Sequence, residues 1–409
     1  VVEALPPSGL RSILTHRRFS LWLGSQFTSN LGYSAWSISI LWLAYQISGT
    51  ILLSALVLFV QYGIYSLTFL TGPFVDRIPD KRTIFLIALP LQAVIAALVG
   101  VAVVTGSLSV ILLLGAVVVM AVLDDFWWIT GNTVPRILVG KENLLRANGL
   151  QSALVGGGSL VGYAAGAALL ILMGPGGGAL LRAAMLVTAA ILVVPVRLRA
   201  PPTAEQGLLR NFVAGWAILG QGKGRPLLQI GALFAAAGFF LGAPVLLITL
   251  FASRDFGGSS YVYSLLFATY MVGAVASGLA VGRANPRRYL GRFLVGAMVA
   301  EGVMVVLAVA VLPQLLLSAG AWFLVGLTSS IPATLLYSYL QATAPPEAVG
   351  RVVSNLELFP SAASAFGAIT LGLLSSTLHP SVLGYGVGLA LVGVGIAAVA
   401  VPAVRGMRI

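Results

Sequence analysis

Cysteine is missing from this 409-residue chain, and charge is scarce: only 8% of its residues are Asp, Glu, Lys or Arg. Without Cys there is no disulfide framework, no thiol nucleophile and no Cys-based metal site, while the compartment stays open. Soluble chains carry roughly a quarter charged residues, so this one has too little polar surface to face water. Acidic side chains number 11 and histidines 2, which leaves few groups for proton chemistry. No paired His with a carboxylate and no Ser with a base forms a convergent catalytic set, so an intramembrane enzyme is not expected, nor is a metal or a cofactor.

What is present is apolar. The hydrophobic fraction is 59%, gathered in successive runs of about 20 residues, the length that crosses a hydrocarbon layer of roughly 30 Å. Windows of about 19 residues predict helices near 19–45, 51–71, 83–104, 109–134, 147–172, 178–196, 228–252, 261–282, 291–312, 315–341, 352–376 and 381–403. The runs are too long, and too apolar on all faces, for the alternating strands of a membrane barrel. Helices satisfy their own backbone in lipid. Val1 to Ser20 is polar and basic without a short apolar core and cleavage site, so the first run is expected to be a span and not a removed signal peptide.

The formal net charge of +12 invites a nucleic-acid reading until the basic residues are placed. Arg11, Arg17 and Arg18 precede the first span; Arg77, Lys81 and Arg82 follow the second; Arg136, Lys141 and Arg146 follow the fourth. Arg197, Arg199, Arg210, Lys223 and Arg225 follow the sixth, Arg283, Arg287, Arg288 and Arg292 the eighth, Arg351 the tenth, and Arg405 and Arg408 close the chain. One side therefore collects 21 of 23, with Arg182 and Arg254 assigned to the other. An excess of Lys and Arg marks the cytoplasmic side, which predicts a multi-pass protein of the cell membrane with both termini cytoplasmic. The positive charge is topology, and no nucleic-acid partner is needed.

A repeat divides the chain. The loop Gly72-Pro73-Phe74-Val75-Asp76-Arg77-Ile78-Pro79-Asp80-Lys81-Arg82 has a second copy at Gly278, Arg283, Arg287 and Arg288, and Asn148 is echoed by Asn355. Six spans followed by six in the same orientation form a parallel repeat, in which the substrate site lies between halves near the midplane. The expected division is 1–196 as an N-terminal six-helix bundle, 197–225 as a cytoplasmic linker and 226–409 as a C-terminal six-helix bundle. Leu208, Leu209, Phe212, Trp216 and Leu219 in the linker are spaced for one apolar face of an interfacial helix.

On these residues the chain resembles the major facilitator superfamily over essentially its full length. The 72–82 loop is similar to that family's signature between helices 2 and 3, departing from it at Pro79 and Asp80. Pro135 to Leu150 and Pro345 to Leu358 look like the macrolide-efflux type of multidrug exporter. The antiporter signature of the fifth span would place Gly-Pro in a glycine-rich run, and Gly156, Gly157, Gly158, Gly162 and Gly166 lack the Pro. The resemblance implies an all-α integral membrane fold of twelve transmembrane helices in two pseudo-symmetric six-helix bundles. It also implies that Gly72, Asp76, Arg77 and Arg82 hold the cytoplasmic side closed as a gate.

Asp124, Asp125, Glu301 and Glu357 fall inside apolar spans, where an ionised side chain costs roughly 2.5–3.5 kcal/mol or more. Such residues are the candidates for proton coupling, which needs a desolvated carboxyl group able to take up and release a proton. Neighbours on a helix point about 100° apart, so Asp124 shares a face with Trp128, and Asp125 with Ile129 and Asn132. An Asp beside an indole suits a lipophilic cation; an interhelical hydrogen bond is the competing use. Glu357 lies beside Asn355 and ahead of Pro360, near a helix N-terminus that favours a carboxylate in any case. Glu301 is central in the ninth span, where a local polar contact would also explain it. Gln26 and Asn30, one turn apart, join Trp128 and Asn132 as candidate cavity residues.

No Gly-rich run meets the Walker pattern and no soluble domain is visible to hydrolyse ATP. The expected function is secondary active transport, with proton-coupled export of amphipathic or cationic small molecules by alternating access. The alternative is a dedicated carrier of a metabolite, siderophore, lipid or other solute, by uniport, symport or antiport. Expected partners are a small-molecule substrate, protons or another coupling ion, and membrane lipids, with the protein working as a monomer.

Overall fold

The computed structural model describes residues 15–139, 143–199, 216, 225–284, 289–343 and 349–407. Every extended element among them is a helix. In chain order these are α1 (Arg17–Ser48), α2 (Ile51–Tyr65), α3 (Thr68–Arg77), α4 (Arg82–Val104), α5 (Val110–Val139), α6 (Leu144–Met173) and α7 (Pro175–Val193). After the linker come α8 (Arg225–Gly238), α9 (Ala243–Arg254), α10 (Ser260–Ala284), α11 (Leu290–Ala310), α12 (Leu315–Thr343), α13 (Val349–Leu374), α14 (Pro380–Ala398) and the short α15 (Pro402–Arg405). Among the described residues ten helical stretches are long and apolar enough to cross a membrane, α8 and α9 counting as one. The first two of the twelve expected spans are α1 and the interrupted pair α2 and α3.

Polar residues lower the hydropathy of α1, and its packing shows why they are tolerated. Ser25, Gln26, Ser29, Asn30, Ser34 and Ser39 are all buried, together with Trp22, Trp36 and Trp42. A helix surrounded by protein needs no lipid-soluble surface. The opposite case is Ile111, Leu172, Leu316 and Leu389, apolar and largely exposed, as a surface solvated by acyl chains requires.

Two expected spans are broken. Between α2 and α3 the Ser66 hydroxyl bonds the Gly63 carbonyl at 2.7 Å and the Thr68 hydroxyl bonds Tyr65 at 2.6 Å. These local bonds compete with the helical ladder. Between α8 and α9, Pro244 brings no N–H. The Gly238 carbonyl is there taken by the Ser364 hydroxyl of α13 at 2.7 Å, which satisfies backbone freed inside the membrane.

The chain packs as two compact units, one of Val1–Leu43 with Leu70–Glu205, the other of Ala44–Phe69 with Gln206–Ile409. This grouping follows packing. The division at 196 and 226 is a separate, proposed division by repeat. In the first unit α6 lies on α1 through Gly158, Gly162 and Gly166, where an added Cβ would run into Phe27, Leu31 and Ala35. In the same unit α4 meets α7 where Gly100 faces Leu180. In the second unit Gly238 of α8 and Pro360 of α13 meet closely, and Gly302 of α11 meets Gly388 of α14. First-to-fifth and third-to-sixth pairings thus recur in both six-helix sets, the pseudo-symmetry of the major facilitator fold. Also in the second unit, α2 runs along α13, with Ala55 against Gly372 and the Phe59 ring edge-on to Phe366 at 6.2 Å.

Candidate functional site

Charge inside the first unit converges on Asp124 of α5. The Arg182 Nη2 on α7 donates to Asp124 Oδ1 at 2.8 Å and to Oδ2 at 2.9 Å. Gln92 Nε2 on α4 donates to the same Oδ1 at 2.8 Å. Arg182 is 1% exposed and Asp124 15%. The guanidinium lies 5.3 Å from the Tyr33 ring centre and 5.7 Å from that of Trp36, both on α1. Four helices therefore share one charged centre: α5 supplies the anion, α7 the cation, α4 an amide and α1 two aromatic faces. Charge-assisted bonds and ring-face attraction offset the desolvation of both ions. Arg182 Nε and Nη1 are buried without a hydrogen-bond acceptor.

The sequence places Arg182 near the start of the 178–196 span on the sparse side; the structure adds its partner in another helix. Proline at the start of α7 opens the helix at Pro175, which carries Arg182 about two turns inside it. A signal was available: a lone Arg against the topological trend, within a few residues of an apolar run, beside an unexplained carboxylate in another span.

The adjacent Asp125 turns to a different neighbour. It is buried, and Oδ2 accepts the Thr71 hydroxyl of α3 at 2.5 Å. Asp124 and Asp125 thus separate as helical geometry predicts, each engaging another helix. Trp128 is 54% exposed, whereas Trp127 belongs to a buried core with Phe19, Trp22 and Phe85. Asn132 is exposed. Gln26 and Asn30 are buried; Asn30 Nδ2 donates to the Gln26 carbonyl at 2.9 Å, and the Gln26 amide lies against Gly131 of α5.

In the signature loop, Asp80 accepts the Arg82 amide at 3.1 Å, so the departure at this position satisfies the first free amide of α4. Lys81 is buried and its ammonium bonds the Val75 carbonyl, satisfying the end of α3. Its amide bonds the Leu198 carbonyl at 3.0 Å, and the backbones of Asp80 and Arg199 pair in an isolated antiparallel bridge. The chain leaving α7 thereby braces the loop. Arg77 is exposed and its guanidinium lies 6.0 Å from the Phe74 ring centre. Gly72 has open space around it. The Asp76 side chain lies outside the described residues, as do the side chains of the second copy from Gly278 to Arg288. The expected linker helix lies outside the described residues except for Trp216, whose ring is edge-on to Phe359 at 5.4 Å.

In the second unit Tyr270 of α10 lies near Ser329 of α12 and within electrostatic reach of Glu301 on α11. Tyr270 also packs edge-on to buried Trp322 at 6.4 Å. Among the described residues no salt bridge joins Glu301 to a cation as Arg182 joins Asp124. Glu357 is half-buried on α13 beside buried Asn355. Beyond the spans, burial pushes the Asp255 carboxyl up, opposed by the charges of His379 and Arg254, while Arg254 Nη2 donates to the Ser375 carbonyl at 2.9 Å.

Twelve helical spans with a charged centre set among them define a membrane transporter of the major facilitator fold. Within that class the chain belongs to the transmembrane secretion effector family, whose model matches residues 11–407. Among solved structures it is similar to a POT family transporter in complex with 5-aminolevulinic acid, with a TM-score of 0.76, 12% identity, and coverage of 98% of this chain and 99% of that one. It is also similar to a mutant of the nucleoside transporter NupG, with a TM-score of 0.69, 12% identity and coverage of 93% and 100%. The POT family transporter PepTSo gives 0.72, 12%, 94% and 97%. Identity this low carries the fold alone. No curated protein sequence matches the chain.

Proposed function

We propose that this protein is a proton-coupled exporter of amphipathic or cationic small molecules, working as a monomer in the cell membrane with both termini cytoplasmic. The observation that carries this reading is the Asp124–Arg182 pair with Gln92, a carboxylate held mid-span by one buried cation. As an ion pair the centre is neutral. A proton on Asp124 leaves Arg182 uncompensated in a medium of low dielectric, where like charge repels strongly. A proton and a cationic substrate therefore exclude one another near α5, which is the logic of antiport.

The family's description as secretion effectors supports outward transport. The stretches Pro135 to Leu150 and Pro345 to Leu358 support the macrolide-efflux type. Gln26, Asn30, Trp128 and Asn132 are assigned to the substrate path, Asp125, Glu301 and Glu357 to secondary proton sites, and Gly72, Asp76, Arg77 and Arg82 to the cytoplasmic gate. A dedicated solute carrier is the second reading, since one fold hosts carriers of many substrates.

The test records internal pH in sealed proteoliposomes under an imposed proton gradient while lipophilic cations and neutral amphiphiles are added. In the parent protein a cation is expected to trigger proton flux. Asp124→Asn should abolish that flux while leaving binding of neutral compounds intact, and Glu301→Gln should retain it. Flux that survives Asp124→Asn but not Glu301→Gln moves coupling to the second unit. A compound that crosses down its own gradient with no proton movement in the parent sinks proton coupling and leaves the carrier reading.

A further inference from the structure

A groove of about 420 Å³ lies on the second unit where α11 begins and α14 ends, lined by Gly291, Arg292, Val295, Val399, Val404 and Arg405. Two arginines from separate elements share it, and among the described residues that line it none is acidic. Both arginines are exposed. The Arg405 Nε donates to the Val399 carbonyl at 2.7 Å, which fixes that guanidinium on the wall and leaves its two Nη groups as donors. The Arg292 guanidinium lies 5.7 Å from the ring centre of Tyr289, itself 62% exposed.

The wall is built, and not a tail lying loosely on the surface. Gly291 lets α15 approach so closely that an added Cβ would strike the Val404 carbonyl. Val404 and Met407 are buried in the core formed with Leu290 and Leu294. The Ala403 amide donates to Gln229 Oε1 of α8 at 3.2 Å.

We infer that this groove holds the phosphate of an anionic phospholipid, Arg292 and Arg405 gripping the headgroup while Val295, Val399 and Val404 meet the glycerol and upper acyl chain. The ends of two spans place it at the level of headgroups, where basic pockets between helices take anionic lipids and exposed tyrosines anchor. Guanidinium groups match phosphate oxygens with paired donors. The inference stands apart from the transport reading, since it involves none of the residues assigned there.

The experiment measures phosphatidylglycerol and phosphatidylcholine retained by the purified full-length protein, by native mass spectrometry after detergent washing. The parent is expected to keep phosphatidylglycerol selectively. The double variant Arg292→Ala with Arg405→Ala should lower its retention about twenty-fivefold, from two contributions of about fivefold each. Arg136→Ala, removing an exposed charge elsewhere, should leave retention unchanged. If the double variant does not fold, the parent alone decides: retention must fall as salt rises from about 0.05 to 0.5 M. Equal retention of both lipids, or no loss with salt, overturns the inference. Displacement of phosphatidylglycerol by soluble glycerol phosphate at equal concentration overturns it too, and assigns the groove to a free phosphate ester.

Discussion

Arg182 lies two turns inside α7, 1% exposed, with Asp124 as its counter-charge. Removing one partner of a buried pair leaves the other uncompensated, at a cost of roughly 3–5 kcal/mol. Arg182→Ala should therefore lower the thermal midpoint of the detergent-solubilised protein well below that of the parent. The double variant Arg182→Leu with Asp124→Leu should recover most of the loss, because apolar residues in place of both ions leave no buried charge. An unchanged midpoint in Arg182→Ala would show that water, and not Asp124, carries that charge. The carboxylates of α5 were legible in sequence because a charge inside an apolar run is expensive and so conspicuous. The role of the arginine was not, since a basic residue near the end of a predicted span reads equally as a topology signal. Only the contact between α5 and α7 distinguishes the two.

At the scale of elements, close packing rests on small residues spaced four apart. Gly162 sits where a side chain would collide with the Leu31 carbonyl, while Gly156, on the same helix, faces open space. Gly162→Leu should separate α6 from α1 and destabilise the first unit by about 1–3 kcal/mol or more. Gly156→Ala should be neutral or slightly stabilising, because alanine favours helix and meets nothing. Size-exclusion profiles and melting curves of the two variants check this, and equal behaviour would mean that glycine position on α6 is irrelevant to packing. The glycine stripe of α6 was visible as a pattern before its partner was known. The breaks at Ser66 and at Pro244 were not, because hydropathy windows average over the few residues that interrupt a helix. Ser364 taking the Gly238 carbonyl is a long-range bond that no window contains.

For the whole molecule, a chain without native Cys allows topology to be read by single substitutions. With both termini cytoplasmic, Ser107→Cys and Ser376→Cys should react with a membrane-impermeant maleimide in intact cells, and Thr83→Cys and Arg197→Cys only after lysis. The reverse pattern would invert the orientation. The order of apolar runs along the sequence, with its internal repeat, determined that the protein lives in a bilayer as twelve helical spans in two sets, because the hydrophobic effect and backbone hydrogen bonding in lipid act on every residue of a run and tolerate local error. The partners of Asp124, the association of α2 with α13 and the groove of Arg292 with Arg405 were decided only by tertiary structure. Each depends on a few directional contacts between residues far apart in the chain, and such contacts leave no periodic trace in the sequence.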